Sequence, residues 1–437
     1  MFDARLERDV AHPVALALSG GGDSLALLHI AAAWAKRAGR QLLAITVDHG
    51  LTPASADWNR FCESQAHRLG ANWMLRRWDG EKPATGLPAA ARRARHALVA
   101  DAAREAGARV VLFGHTADDV DESDWMRERG STLGRLREWS PSPAWPEGRG
   151  LMLLRPMLGE RREALRAFLR VTGAEWIEDP GNVGFDRGAA RRALTPLPAG
   201  EGLRLGERSD PQAERVRGSN LTGWHSNPSP FRAKSDRLTA LGRSSPLPLG
   251  EGFEGGEPLA STLLCVAGHD RLPRTAHLYA LAERIEAGSP FTATLAGTRI
   301  EATADRILIL REAGAFRRRP SAPLPLAPDQ AAVWDGRYEI TPCEPGWFVV
   351  PALGRLAALS DADRSIVAQS PAAARGALPV LIRDGDPRPV LAWRRARVLA
   401  LAPRRLKLVQ WTVSGETTQE KDLADAVHGE TPPPDLF

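Results

Sequence analysis

The sequence predicts an α/β fold that begins with a doubly wound parallel sheet. Short apolar strands alternate with helical segments over roughly the first 190 residues, as in repeated strand–helix–strand units. Polar residues follow the ends of three of these strands, at Ser19, Asp48 and His115. Because ligands bind beyond the carboxyl ends of the strands in such sheets, these residues predict one functional edge. At 437 residues the chain is long enough for about two to three domains.

The individual elements follow from the spacing of apolar residues. Residues 14–18 form a short apolar strand, and 25–38 have the apolar period of a helix. A second strand over 41–47 runs into VDHGL. The other elements predicted for this part are a helix over 54–69, a strand over 73–77, a helix over 89–106 and a buried strand, RVVLFGH, that ends at His115.

Composition narrows the class of protein. With 43% hydrophobic and 25% charged residues the chain has the make-up of a soluble globular protein. The charged start lacks an apolar signal core and no stretch approaches the ~20 apolar residues of a membrane span, so we expect a cytoplasmic protein without a membrane partner. The three cysteines are far apart in sequence, which argues against disulfides and against zinc or iron–sulfur sites. The net charge of +5, mostly arginine, suits a nucleic-acid partner, although codon bias would explain it as well.

A glycine-rich corner follows the first strand. Strand, SGGGDS and helix form the layout in which backbone amides at a helix N-terminus hold phosphate. The Walker loop is excluded because Asp23 stands before Ser24, and the dinucleotide fingerprint because Leu25 replaces its third glycine. A purely structural tight turn is the alternative. The candidate phosphate-binding residues are Ser19, Gly20, Gly21, Gly22, Asp23 and Ser24.

Two further groups of residues carry candidate chemistry. His115, Asp119 and Glu122 have i, i+4, i+7 spacing, which places them on one face of a helix. Carboxylates there can hold Mg²⁺ against phosphates, whereas the alternative is an acidic first turn that complements the helix dipole. Arg92 and Arg95 are three apart on a predicted helix and could meet phosphate together, or simply form a solvated basic face.

These segments resemble a known family. SGGGDS matches the SGGxDS signature of the PP-loop ATP pyrophosphatases, and within them the chain is similar to tRNA(Ile)-lysidine synthetases. Three further blocks of that family resemble VDHGL at 47–51, AARRARHAL at 90–98 and GHTADDVDES at 114–123. A fourth resembles EDPGN at 178–182, with Arg187 and Arg191 beyond it, so the resemblance spans residues 15 to 191.

The resemblance implies a two-step, ATP-dependent carbon–nitrogen ligation. ATP would adenylate the wobble cytidine of an isoleucine tRNA with a CAU anticodon, and free L-lysine would then displace AMP to give lysidine. The implied roles are Mg²⁺ binding by Asp23 and Asp119, lysine binding or deprotonation by Glu122 and His115, and contacts to phosphate or transition-state charge by Arg92 and Arg95. ATP would be bound by the glycine-rich corner of residues 19–24, which forms a phosphate loop, together with Val47 and Asp48. Some relatives dimerise, so a homodimer is also an expectation.

Departures from the family pattern keep alternatives open. Val120 replaces a glutamine, Gly181 replaces a serine, and Gly188 follows Arg187 where the family has Arg-Asn. These changes concern the tRNA-facing part of the site more than the ATP part. A non-catalytic PP-loop nucleotide- or RNA-binding relative therefore remains an alternative. So does another PP-loop tRNA-modifying enzyme such as a thiolase, although no cysteine lies near the loop in sequence.

A low-complexity stretch divides the chain. Residues 195–257 are rich in glycine, proline, serine and arginine without a sustained apolar period, so we expect disorder. PLPAGEG at 196–202 recurs as PLPLGEG at 246–252, as in a translated repeat element. The predicted domains are the PP-loop ATP-binding domain (adenine nucleotide α-hydrolase-like) over 1–192, the inserted segment over 193–258, a small, mainly helical, tRNA-positioning domain over 259–318 and a β-rich, tRNA-binding domain over 319–437.

A basic stretch lies near the end of the β-rich part. Basic side chains interleaved with apolar residues and tryptophan suit an RNA backbone, and charge-protected edge strands are an equally good reading. The basic residues are Arg394, Arg395, Arg397, Arg404, Arg405 and Lys407.

Overall fold

A computed structural model describes residues 1–80, 82–128, 136–178, 257–270, 273–383, 385–414 and 419–423. Its N-terminal part is a six-stranded sheet with the strand order β3-β2-β1-β4-β6-β5. The elements of this part are α1 (Phe2–Arg5), β1 (Val14–Ala17), α2 (Gly22–Arg37), β2 (Leu42–Asp48), α3 (Ser55–Arg68), β3 (Asn72–Arg77), α4 (Leu87–Glu105), β4 (Val110–Leu112), α5 (Ala117–Glu128), β5 (Trp139–Pro141), β6 (Met152–Leu154) and α6 (Arg162–Val171).

This sheet confirms the predicted doubly wound parallel fold. Strands β1 to β4 and β6 are parallel, and only β5 runs antiparallel, to β6. Successive residues of β1 face opposite sides of the sheet: Leu16 packs in the core that contains Leu28 of α2, and Ala15 in the core that contains Val99 of α4. Helices therefore cover both faces, and each buried leucine contributes about 1.5–3 kcal/mol.

Helix α6 lies on the same side as α2. Leu165 and Leu169 of α6 are buried in the core shared with Leu25 and Leu28 of α2. The first residue of α6, Arg162, is thereby brought toward the glycine-rich corner where α2 begins. Because α2 and α6 are far apart in sequence, local sequence pattern does not show that they are neighbours.

The middle of the described chain is smaller. Two helices pack on a three-stranded antiparallel sheet, β7-β8-β9, through a core that includes Leu263, Leu278 and Ile300. The small, mainly helical unit predicted for 259–318 therefore contains a sheet as well as its helices. The elements are α7 (Glu257–Ala267), α8 (Thr275–Glu286), β7 (Phe291–Leu295), β8 (Thr298–Ala302) and β9 (Ile307–Arg311).

The C-terminal part is rich in β-structure, as predicted. It contains a four-stranded sheet, β10-β13-β14-β15, and a three-stranded sheet, β11-β12-β16. Its elements are α9 (Ala315–Arg318), β10 (Leu324–Leu326), β11 (Ala332–Trp334), β12 (Tyr338–Pro342), β13 (Trp347–Pro351), a 3₁₀ turn (Leu356–Ala358), α10 (Asp361–Ala368), α11 (Ala372–Arg375), β14 (Pro379–Arg383), β15 (Asp386–Leu391), a second 3₁₀ turn (Ala392–Arg394), β16 (Ala396–Ala400) and α12 (Ala402–Ser414).

The basic stretch near the end runs from the second 3₁₀ turn through strand β16 into helix α12. The Arg405 guanidinium is buried, donates to the carbonyl oxygens of Leu264 and His269, and stacks 4.2 Å from the Trp145 ring. This side chain ties three parts of the chain together, so the interpretation of Arg405 as an RNA contact is wrong. Arg395, by contrast, is exposed, as are Arg397 and Lys407.

Two buried ion-pair clusters join distant segments. Both Glu420 carboxylate oxygens accept hydrogen bonds from Arg40, at 2.8 and 3.0 Å, and both side chains are fully buried. At the junction of the middle and C-terminal parts, Asp335 accepts from Arg311 and Arg337. Burial alone would raise the pKa of Asp335, but these two arginines outweigh it and lower that pKa.

Several predictions fall on residues outside the described ranges. Residues 193–256 of the inserted segment lie outside these ranges. Its last two residues, 257 and 258, are the first two of α7. The repeated heptapeptides, Arg187 and Arg191 also lie outside the described residues. No helix in the described ranges combines the length and the apolar character needed to cross a bilayer.

Candidate active site

The glycine-rich corner is the N-terminus of α2. The helix begins at Gly22, so the corner supplies its first turn, earlier than the predicted start at residue 25. Ser24 holds the corner closed, because its hydroxyl donates to the Gly21 carbonyl at 2.9 Å and lies 3.0 Å from the Ser19 hydroxyl. The free backbone N–H groups of such a turn, together with the helix dipole, form a binding site for phosphate.

Gly20 has a conformation that requires glycine. Its φ is +81°, and a Cβ there would lie 2.7 Å from Cδ1 of Ile177 and 3.1 Å from Sγ of Cys62. The Ile177 N–H donates to the Gly20 carbonyl at 2.9 Å, and the Trp176 ring lies over Gly22. The chain just before the predicted block at 178–182 therefore packs against the phosphate loop. Of that block only Glu178 lies within the described residues.

The position of Cys62 corrects one expectation. No cysteine is close to the loop in sequence, yet Cys62 of α3 packs directly behind Gly20. Burial raises the pKa of its thiol to about 11. The thiol is therefore neutral at physiological pH and a poor nucleophile.

Gly114 brings the end of β4 against the loop. A Cβ at this position would lie 3.0 Å from the Asp23 carbonyl oxygen and 3.1 Å from the Ser24 nitrogen. A residue with a Cβ would push these backbone atoms away by a few tenths of an ångström. The strand β4 ends two residues earlier than Gly114, which makes it shorter than the strand predicted to end at His115.

His115 precedes helix α5, contrary to the prediction that it shares a helical face with Asp119 and Glu122. The helix begins at Ala117, directly after Thr116. One Asp119 oxygen accepts from the Thr116 N–H at 2.9 Å and from the Thr116 hydroxyl at 3.0 Å, in the manner of a capping box. The acidic first turn thus has the structural role considered as the alternative, and it still leaves the second Asp119 oxygen for other partners.

The imidazole of His115 is held by neighbouring side chains. It is buried, stacks on Phe113 at 5.8 Å, and its Nδ1 accepts a hydrogen bond from Nε of Arg155 at 3.2 Å. Arg155 is itself buried and donates to the Ser140 hydroxyl. Because Nδ1 is an acceptor here, the neutral ring carries its proton on Nε2.

Arg162 joins the phosphate loop to α5, the acidic helix that begins after Thr116. Its guanidinium has one nitrogen toward each of three carboxylates: Nε to Asp23 at 3.1 Å, Nη1 to Glu122 at 3.2 Å and Nη2 to Asp119 at 3.5 Å. Three carboxylates therefore lie against this one guanidinium. Glu122 is only 2% exposed, so water screens little of its charge.

The ionisation of the cluster reflects these contacts. Burial raises the pKa of Asp23, and Arg162 only partly opposes it. Burial by itself would lower the pKa of Arg162, but Asp119, Asp23 and Glu122 together raise it above its usual value. The three carboxylates thus hold Arg162 in its charged form.

The other predicted site residues lie on neighbouring elements. Asp48, at the end of β2, accepts from the Gly50 N–H at 2.8 Å and from the Asn59 amide at 3.1 Å. Although burial opposes the shift, these bonds lower the pKa of Asp48. Val47 is half-buried and packs on the sheet core, so its contact with a ligand stays a prediction.

Arg92 and Arg95 lie on α4 with half-buried side chains, whereas Arg93 between them is exposed. Burial lowers the pKa of His49, next to Asp48, and the nearby charge of Arg95 adds to this. Arg95 is thus directed toward the end of β2 instead of toward open solvent. Phosphate binding by the two arginines stays a prediction.

Sequence reasoning missed Arg162, Gly114 and the Trp176–Ile177 pair. In sequence nothing separates Arg162 from its neighbour Arg161, which forms an exposed pair with Asp121. The signal available was the spacing of Arg162 from Leu165 and Leu169, which are three and seven positions further on and form the buried side of α6.

Comparisons with known proteins agree with this geometry. A family model described as the PP-loop domain matches residues 2–197. A tRNA(Ile)-lysidine synthase of Caulobacter vibrioides is 41% identical over 419 residues, which cover 93% of this chain and 95% of the relative. The tRNA(Ile)-lysidine synthase of Hyphomonas neptunium is 36% identical and covers 78% of this chain and 93% of its own. That of Mesorhizobium japonicum is 36% identical over 88% of this chain and 87% of its own.

Proposed function

The chain belongs to the tRNA(Ile)-lysidine synthase family, and on that basis we propose that it joins free lysine to C2 of the wobble cytidine in a CAU-anticodon isoleucine tRNA. It is an ATP-using ligase that acts on tRNA(Ile). The resemblance read from SGGGDS and its companion blocks is confirmed by these relatives. The observation that carries the proposal is the meeting of the phosphate loop with the cluster of Asp23, Asp119 and Glu122 at one edge of the sheet.

The reaction balances in two steps. The C2 oxygen of the cytidine attacks the α-phosphorus of ATP, and pyrophosphate leaves. The ε-amino nitrogen of lysine then attacks C2, the C2–O bond breaks with AMP as the leaving group, and the nitrogen loses a proton. The protein must therefore hold polyphosphate, orient the base, and take up the amine as a free base at the moment of attack.

The phosphate loop supplies the first of these requirements. Backbone N–H groups of residues 20–24 and the dipole of α2 would hold the phosphates of ATP. Ser19 and Ser24 fix the loop through their hydroxyl contact. The oxygen donors of Asp23 and Asp119 fit Mg²⁺, which prefers oxygen ligands and would offset phosphate charge. Both carboxylates lie against the same guanidinium, so they are close enough to share one cation.

Glu122 suits the lysine amine better than His115 does. Its carboxylate is nearly fully buried and lies against the same guanidinium as the carboxylates of Asp23 and Asp119, and a carboxylate attracts an ammonium group. A carboxylate can also accept the proton that the nitrogen loses. The Nδ1 lone pair of His115 accepts a hydrogen bond from Arg155, so this nitrogen does not serve to deprotonate the amine.

The alternatives are not favoured. The relatives align over 78–93% of the chain and carry one activity in their names. The thiol of Cys62, although it is next to the loop, is buried with a raised pKa, so it lacks the thiolate that sulfur transfer uses. We further propose a cytoplasmic location, the domain boundaries given by the sequence, and a homodimer, which light scattering would test.

The test is incorporation of radiolabelled lysine into an unmodified CAU-anticodon isoleucine tRNA with ATP and Mg²⁺. The variant is Asp119→Asn, which keeps an acceptor for Thr116 but removes the charge. Asp121→Asn on the same helix is the matched control, since Asp121 forms an exposed pair with Arg161. We expect label with the wild type and the control and little with Asp119→Asn. Absence of label with the wild-type protein would reject the proposed function.

A further inference from the structure

Arg162 has contacts that no step of the proposed reaction explains. The side chain is 17% exposed and reaches three carboxylates that belong to two different helices. Arginine usually pairs with one carboxylate through two parallel bonds. Here the three nitrogens of one planar group are divided among Asp23, Asp119 and Glu122. Such a division fixes the distances between the three carboxylates.

The backbone around Arg162 is also anchored to the acidic helix. The Arg162 N–H donates to the Asp118 carboxylate at 2.8 Å, and the Ala117 N–H donates to the Glu160 carbonyl at 2.9 Å. These two bonds connect the start of α6 to the start of α5. The guanidinium therefore extends from a fixed backbone and does not depend on a flexible loop.

Without this cation the three carboxylates would repel one another. Asp119 would keep the hydrogen bonds that it accepts from Thr116, but Asp23 and Glu122 would lose the bonds that they accept from Arg162. Like charges that lie a few ångströms apart in a poorly screened site move apart or take up protons. The carboxylate next to the phosphate loop and the carboxylate suited to the lysine amine would then lose their relative position.

We propose that Arg162 is a positioning residue that holds the carboxylates of Asp23, Asp119 and Glu122 in one arrangement. The carboxylates that serve adenylation and the carboxylate that serves lysine transfer then keep fixed positions relative to one another. This inference rests on the proposed function, since it assigns these carboxylates to the two steps. Arg162 acts through the carboxylates and needs no contact with a substrate. Its planar fork matters because its three nitrogens are set apart, whereas an ammonium group carries its three donors on one nitrogen and does not span the same three carboxylates.

The test compares Arg162→Ala, Arg162→Lys and the neighbouring control Arg161→Ala in the labelled-lysine assay. We expect Arg162→Ala to lower kcat/KM for lysine about 10²-fold, the typical cost of a misplaced reacting group. Arg162→Lys should lose about 10-fold, since it restores the charge without the fork. Arg161→Ala should stay within about 2-fold of the wild type, because its ion pair is exposed.

Chemical rescue separates positioning from mere stability. Guanidinium chloride at about 10–50 mM should restore part of the activity of Arg162→Ala, because the free cation has the shape of the missing group. Urea has the same shape without charge and should restore nothing. The Tm of each variant is followed under the same conditions, and rescue should occur without a rise in Tm.

Each outcome decides the inference. Activity of Arg162→Ala equal to that of Arg161→Ala overturns it, and so does a loss that guanidinium does not relieve. If Arg162→Ala does not fold, Arg162→Lys carries the test: reduced activity at an unchanged Tm supports the inference, and full activity overturns it. An inactive wild-type protein would reject the proposed function itself, together with this inference.

Discussion

Replacing Gly114 by alanine is the sharpest test of how the sheet and the phosphate loop fit together. The new Cβ would lie 3.0 Å from the Asp23 carbonyl oxygen, 3.1 Å from the Asp23 carbonyl carbon and 3.1 Å from the Ser24 nitrogen. Ordinary contacts begin near 3.4 Å, so β4 and the loop must separate by 0.3 to 0.4 Å. All three atoms are backbone atoms in the first turn of α2, so no side-chain rotation relieves the contact.

The cost of this separation follows from its size. Forcing one extra methyl group into a packed region destabilises a protein by about 1–3 kcal/mol. For a domain of this size we expect Tm to fall by about 2–4 °C for each kcal/mol. The loop amides also move relative to the acidic cluster, so ATP should bind about 10-fold more weakly, which equals about 1.4 kcal/mol.

Calorimetric titration with ATP and thermal unfolding of the same samples measure both effects. Gly159→Ala is the matched control, because Gly159 is exposed and a Cβ there would meet nothing within 4 Å. The control should keep the wild-type Tm and ATP affinity. Equal Tm and equal ATP affinity for the two alanine variants would refute the argument that Gly114 sets the spacing of the loop.

Three other predictions concern the remainder of the molecule. Glu420→Ala leaves a fully buried arginine without its partner and should destabilise the protein by about 3–5 kcal/mol in urea unfolding, a result that an unchanged midpoint would contradict. The pKa of Asp335 is lowered in the folded state, so its stabilising contribution is complete above the unfolded value of 3.8 and is lost as pH falls below it. The stability difference between the wild type and Asp335→Asn should therefore shrink below that pH. In the native protein Cys343 is exposed, whereas Cys62 and Cys265 are buried and burial raises the pKa of each thiol to about 11. A thiol reagent should therefore label Cys343 rapidly in the folded protein, and all three cysteines only after unfolding.

Local pattern was enough to predict the N-terminal sheet. The predicted strand over 41–47 is Leu42–Asp48, and the predicted helix over 54–69 is Ser55–Arg68. Such elements carry their own signal, because apolar spacing and strand-end polar residues are properties of a few consecutive positions. Errors at element ends follow from capping. Helix α5 begins after Thr116 because the Asp119 side chain bonds back to it, and this excludes His115 from the helix.

The contacts that complete the site join residues that are far apart in sequence, so local pattern does not show which residues meet. Arg162 meets Asp23 across 139 positions of chain, and Cys62 reaches Gly20 through the packing of α3. Arg405 has the composition of an RNA-binding arginine, yet it lies inside the protein against Trp145. Burial and partner, not residue type, decide the role of an arginine.

The site combines a phosphate-binding loop with a group of carboxylates, and neither feature alone would be sufficient for the reaction. A glycine-rich helix N-terminus binds phosphate in many settings, and acidic residues in a first turn often serve only the helix dipole. Gly114 brings the two within backbone contact, and Arg162 then bonds to a carboxylate on each side. A reaction that adenylates a base and then admits an amine to the same carbon needs this proximity, because both steps must use one position of the substrate. The contacts of Gly114 and Arg162, more than the loop motif itself, are therefore the features that suit this edge of the sheet to ligation.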